Sequence, residues 1–127
     1  MKLRFENNSV RYRIRKTELA QLKQDGFVQT KVAFENATFT YEVRLKKTDE
    51  PYAEFSNNTV VVYIPYDIGN VFINTDEIGI YKTIQLKDNR TLDIIIEKDF
   101  PCKDRPEKDR SDTFSELAEK EEKNEFC

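Results

Sequence analysis

Phe5 to Ile14 reads FENNSVRYRI, and fifty residues later Phe55 to Ile64 reads FSNNTVVVYI. Phe5, Asn7, Asn8, Ser9, Val10 and Ile14 recur as Phe55, Asn57, Asn58, Thr59, Val60 and Ile64 at a constant offset. Asn tolerates φ > 0, so an Asn-Asn pair between extended stretches predicts a tight hairpin turn. Around the first pair Val10, Tyr12 and Ile14 alternate with Arg11, Arg13 and Arg15, the period of a strand with one apolar and one polar face. A chain of 127 residues has room for one modest core, not two ordinary ones. Two copies of the motif must therefore share a core.

The segments after the two hairpins are similar as well. Thr17 to Gly26 predicts a short helix with Thr17 as N-cap and Gly26 just past its end. Pro65 to Thr75 occupies the same place, with Asp67 where Thr17 stood; Gly69 and the β-branched residues weaken that helix. A second hairpin ends each half. The first runs from Phe27 to Phe34 and from Thr38 to Leu45 about a turn at Glu35-Asn36. The second runs from Glu77 to Leu86 and from Thr91 to Lys98 about Asp88-Asn89. The offset grows from 50 to 53, which places three extra residues near Tyr81–Lys87.

The unit is ββαββ, used twice over pseudo-repeats 2–45 and 52–98, with residues 46–51 as connector. One helix does not cover both faces of a four-stranded module, but two copies pack together about a pseudo-twofold axis. The expected fold is α+β and mostly β: eight antiparallel strands as a barrel or sandwich with two short helices. Residues 1–102 form a single β-rich domain. Residues 103–127 are a charged tail, a marginal helix around Phe114, Leu117 and Ala118 or a solvated segment.

Composition excludes more than it identifies. The chain has no histidine, which removes Ser-His-Asp and Cys-His catalysis and imidazole metal sites. Cys102 and Cys127 are too few and too far apart for a disulfide framework or a zinc site. Lys98 and Lys103 favour a thiolate at Cys102, but no base accompanies it, so the thiol is read as structural. No catalytic residue, metal ligand or cofactor is assigned. No run approaches the roughly 18 apolar residues of a membrane span, and the N-terminus lacks an apolar signal core, so the expected location is cytoplasmic. The three Asn-x-Ser/Thr sequons are read as turns. The net charge of −3 argues against nucleic acid as a bulk electrostatic partner.

Charge is unevenly spread. Residues 1–16 hold six Lys/Arg against one acid. Lys2 and Arg4 on one strand and Arg11, Arg13 and Arg15 on the next fall by alternation on one face of the hairpin, which makes this stripe the candidate anion-binding site, since the arginine fork matches phosphate or carboxylate. The other reading is a solvated outer face, or a ladder paired with Glu42, Asp93, Glu97 or Asp99. If the polar faces pointed into a barrel, the same rows would line a tunnel for a phosphorylated substrate. The second half lacks the stripe. Val61 and Tyr63 replace its arginines, so that strand is apolar on both faces, as buried strands are. Its expected cover is the second helix or a second subunit.

The opening MKLRFENNSVRYRIRKTEL, with the later IIIEKDFPC, resembles a family of small uncharacterised bacterial proteins. Its members open with a stretch like MKLRIRGNSIRLRL and end their folded part with EKDF-Cys. The resemblance covers roughly residues 1–102 and departs at Phe5-Glu6-Asn7, where the family has a basic residue and glycine. It implies a bacterial cytoplasmic protein and supplies no site residues. The resulting expectation is a small non-catalytic module that binds a protein partner or a small anion. The alternative is a phosphate-handling hydrolase using carboxylates and arginines in a β-barrel.

Overall fold

The computed structural model describes residues 1–100; the tail and Cys102 lie outside them. In chain order the elements are β1 (Lys2–Glu6), β2 (Ser9–Ile14), α1 (Lys16–Asp25), β3 (Phe27–Ala33) and β4 (Thr38–Lys46). Then come β5 (Tyr52–Ser56), β6 (Thr59–Pro65), α2 (Tyr66–Asn74), β7 (Gly79–Gln85), a 3-10 turn (Lys87–Asn89) and β8 (Thr91–Lys98). Both halves are ββαββ.

The turns form for the reason their composition implies. Among the described residues every non-glycine residue with positive φ is an Asn or Asp in a hairpin turn: Asn7, Asn57, Asn58, Asp88 and Asn89, at 51–64°. Their short polar side chains relieve the left-handed penalty that other residues incur. Helix α1 starts earlier than expected. Arg15, not Thr17, is the N-cap, because the Glu18 carboxylate reaches back to accept the Arg15 N–H at 2.9 Å. Gly26 ends the helix as expected, at φ 81° with its N–H donated to Leu22 O at 2.9 Å. In α2 the glycine has a packing role. A Cβ at Gly69 would crowd Leu45 Cδ2 and lie 3.6 Å from Ile64 Cγ2, so glycine lets the helix settle on these strands without the Leu45 side chain giving way.

The eight strands form two four-stranded sheets, ordered β1-β2-β8-β7 and β3-β4-β6-β5. They form a sandwich and do not close into a barrel. Each sheet takes one hairpin from each half, because the helix of a half carries the chain from one sheet to the other. Within hairpins the pairing is antiparallel, but β2/β8 and β4/β6 are parallel, which corrects the all-antiparallel expectation. The cause is legible in β6, whose Val60, Val62 and Ile64 face the core while Val61 and Tyr63 face out. A strand apolar on both faces belongs inside a sheet. So β6 inserts between β4 and β5, and β5, with its exposed Glu54 and Phe55, takes the edge.

The halves correspond in register as well as in order. Ser9 faces Asp93 and Ile14 faces Lys98 across one parallel joint; Thr59 faces Thr40 and Ile64 faces Leu45 across the other. The offset is 50 through β6, 52 from Val28 to Ile80 and 53 from Val43 to Ile96. Two extra residues therefore sit between α2 and β7 and one in the following turn, not three near Tyr81–Lys87.

The core lies between the sheets. Tyr12, Val43, Val62, Ile94 and Ile96 have no exposed surface, and Leu22 and Phe72 bring each helix onto them. The Tyr12 hydroxyl, whose pKa burial pushes up, donates to Val60 O across the sandwich at 3.3 Å. The helices close the end where β2, β4, β6 and β8 finish. Helix α2 consequently does not cover Val61 and Tyr63, which corrects one expected cover of that strand. Tyr63 is instead stacked on Tyr52 at 4.7 Å, with the Lys46 ammonium 4.7 Å from its ring.

Candidate functional site

Four of the five residues of the basic stripe come together on the outer face of the first sheet. Register sets Lys2 opposite Arg13 and Arg4 opposite Arg11, while Arg11 and Arg13 flank Ile95 and Glu97 on β8. Because Val10, Tyr12 and Ile14 take the inward positions, Arg11 and Arg13 lie on the outer face, half-buried. The tunnel required by the hydrolase reading is not there: the space between the sheets is filled by apolar side chains and Tyr12. Arg15 is not part of the face; it caps α1.

On that face most of the charge is matched within the chain. Arg11 grips Glu97 Oε1 through Nη2 at 2.6 Å and Nε at 2.7 Å, and the Tyr81 hydroxyl donates to Oε2 at 2.8 Å. Burial alone would raise the Glu97 pKa. The hydrogen bonds from Tyr81 and Arg11, with the charges of Arg11 and Arg13, outweigh it and hold the carboxyl below its ordinary range. Burial and the bond to Glu97 push the Tyr81 hydroxyl up. Lys2 lies 3.5 Å from Asp99 and Arg4 3.3 Å from Glu6. Asp93 takes the Thr83 hydroxyl at 2.7 Å, and Glu42 pairs with Arg44 on the other sheet at 2.6 Å. Arg13 differs. Its guanidinium lies 5.3 Å from the Phe100 ring centre, and its buried Nε has no hydrogen-bond partner among the described residues.

A second feature lies at the end of the sandwich opposite the helices. There the turns of β1–β2 and β5–β6 leave an open cleft of about 460 Å³ between the sheets. Its walls are equivalent residues of the two halves: Phe5 and Phe55, Val10 and Val60, Phe39 and Leu92. The repeated letters that open each half are the two lips of this cleft. Phe5 and Phe55 are in phase with the core yet 56% and 69% exposed, since neither sheet continues past them. Among the described residues of the lining only Glu54 has a titratable side chain, and it pairs with outward-facing Val61, so its carboxylate lies on the outer face beside Tyr63. The cleft is therefore suited to burying an apolar group and carries little that could do acid–base chemistry. Sequence reasoning finds these phenylalanines as part of a repeat and assigns them no role. The signal for one is an aromatic residue in phase with the core at the tip of both hairpins.

Among the described residues no three His, Cys, Asp or Glu side chains converge to hold a metal ion, and no helix is long and apolar enough to cross a membrane. In comparisons with known proteins, the model of a family described as "Family of unknown function (DUF7009)" matches residues 1–118. No curated protein and no solved structure matches.

Proposed function

The chain belongs to that family of unknown function, and from this premise we propose that it is a non-catalytic binding module whose cleft receives an apolar side chain of a protein partner. The observation that carries this reading is the pair of outward-standing phenylalanines, Phe5 and Phe55, flanking an apolar cleft of about 460 Å³. Large exposed apolar side chains around a concavity mark interaction sites. The absence of histidine from the sequence narrows catalysis to carboxylates, Lys, Arg, Tyr or a thiol, and among the described residues lining the cleft only Glu54 is of these types, with its side chain on the outer face.

The test exploits the lack of tryptophan. In a Phe55→Trp variant the single indole reports on the cleft. Titration with the uncharged apolar dye Nile red is expected to give one saturable transition in its fluorescence. A second variant carrying Ala53→Phe in addition fills the cleft and weakens binding at least tenfold. Equal binding to both variants would remove the reading.

Arg13 favours a second reading, a small-anion site narrowed from the five basic residues to this one. Its Nε is buried with no partner among the described residues, while Lys2, Arg4 and Arg11 each have a carboxylate. The rest of the Arg13 guanidinium fork retains the planar geometry that suits an anion. Under this reading pyrophosphate raises the melting temperature of the wild type and not that of Arg13→Gln; indifference of the wild type counts against it.

A further inference from the structure

On the same end of the molecule as the helices, a groove of about 620 Å³ runs between residues 49–51 of the connector, α2 and the start of β7. It shares no residue with the cleft. Its floor is apolar, formed by Ile68, Phe72 and Ile80, and Val71 and Tyr81 stand beside it 52% and 59% exposed. Its rim is acidic: Asp49, Glu50, Asp67 and Glu77. Among the described residues the one cation in the lining, Lys82, is already engaged by Glu50 at 3.0 Å.

Two observations set this groove apart from the corresponding place in the first half, and a third, the outer strand beside it, is common to both halves. Helix α2 reads YDIGNVFIN where α1 reads KTELAQLKQD. The outward side of α1 carries lysine and glutamine, whereas α2 exposes Val71 and Tyr66. Val71 and Tyr66 share the outward side of α2 with Asp67, Asn70 and Asn74, and large apolar side chains set among polar ones on an exposed side mark a surface that a partner covers. The two residues added after α2 lengthen the loop that brings Glu77 to the rim, and the first half has only Gly26 there. Strand β7 is the outer strand of its sheet, pairing only with β8 among the described residues, so an extended segment finds backbone beside the groove.

We propose that this groove docks an extended segment of another protein that carries lysine or arginine among apolar side chains. The aliphatic stems of those residues lie on the Ile68, Phe72 and Ile80 floor while their charged ends reach the acids of the rim. Charge complementarity selects this occupant over an acidic or purely apolar one. It also disfavours the chain's own residues 101–127, which hold nine acids against six Lys/Arg.

The experiment is a fluorescence-anisotropy titration of a fluorescein-labelled peptide of alternating lysine and leucine with the full chain. The comparison peptide has glutamate for each lysine. Expected is saturable binding of the lysine peptide, weakened several-fold between low salt and 0.5 M, where exposed charges are screened, and at least tenfold weaker binding of the glutamate peptide. The double change Asp67→Lys/Glu77→Lys lowers affinity for the lysine peptide at least tenfold, and Val71→Glu lowers it although it adds an acid. Reversal of two remote acids, Asp25→Lys/Glu35→Lys, leaves affinity within twofold. All these positions are exposed, and circular dichroism checks that each variant is folded. Absence of binding, equal binding of the glutamate peptide, or equal effects of the remote and rim reversals would each overturn the proposal.

Discussion

Glu97 binds two strands to its own: Arg11 on β2 and Tyr81 on β7 both hydrogen-bond to its carboxylate. Its folded-state pKa is lowered, so the ionised form contributes stability above the unfolded value of about 4.3, a contribution lost as pH falls through the lower folded value. Tyr12 and Tyr81 have raised pKa values. Their neutral hydroxyls contribute fully below about pH 10 and lose that contribution as pH rises toward the folded values. Urea melts across pH should therefore show stability falling at both extremes, with Glu97→Gln shrinking the acid limb and costing about 1–3 kcal/mol at pH 7. At Gly69 two effects oppose each other. Alanine gains about 1 kcal/mol of helix propensity, but its methyl meets the buried Leu45 side chain, and overpacking of that kind costs about 1–3 kcal/mol. The expected net result of Gly69→Ala is a destabilisation of about 1 kcal/mol, read by thermal or urea melts. The arginine–carboxylate pairing is legible in the sequence, because parity alone sets Arg11 and Glu97 on polar faces. Which carboxylate meets which arginine is not, since that depends on the order of strands far apart in the chain.

At the scale of elements the strongest local signals are the asparagine turns, and they hold because a left-handed residue has few alternatives. Asn57 and Asn58 both have positive φ, at 51° and 58°. Asn58→Gly should be neutral or mildly stabilising, since Asn-Gly suits such a turn. Asn58→Val should cost about 1–2 kcal/mol for the forced left-handed conformation, a difference that paired denaturation curves resolve. Reading Thr17 as the cap misplaces the start of α1. Glu18 reaches back to Arg15 in its stead, and a side chain three residues on gives a weaker local signal than a threonine. Strand β6 is the most instructive element. Its inner face is buried against the opposite sheet, with α2 packed at Ile64, while its outer face is only half-buried, Tyr52 and Lys46 closing over Tyr63.

For the whole molecule, the element order is readable and the interleaving is not. Nothing local tells a hairpin whether its neighbour comes from its own half or the other. Because each sheet joins hairpins from both halves, neither half encloses a core alone. A fragment of residues 1–47 should be unfolded by circular dichroism and gain structure on mixing with residues 48–127; independent folding of either fragment would contradict the topology. The ends of the described chain also lie side by side, with Lys2 3.5 Å from Asp99. Viewed as a circle, the backbone is thus nearly closed, and its natural opening is only one of several. Joining the region of residue 100 to residue 2 through a short flexible linker and cutting between Thr48 and Asp49 leaves all eight strands intact, as exposed loops permit. Such a permutant keeps both sheets and the cleft but frees the segment that holds Asp49 and Glu50 at the groove. It would separate what the chain needs in order to fold from what it needs in order to hold a basic partner.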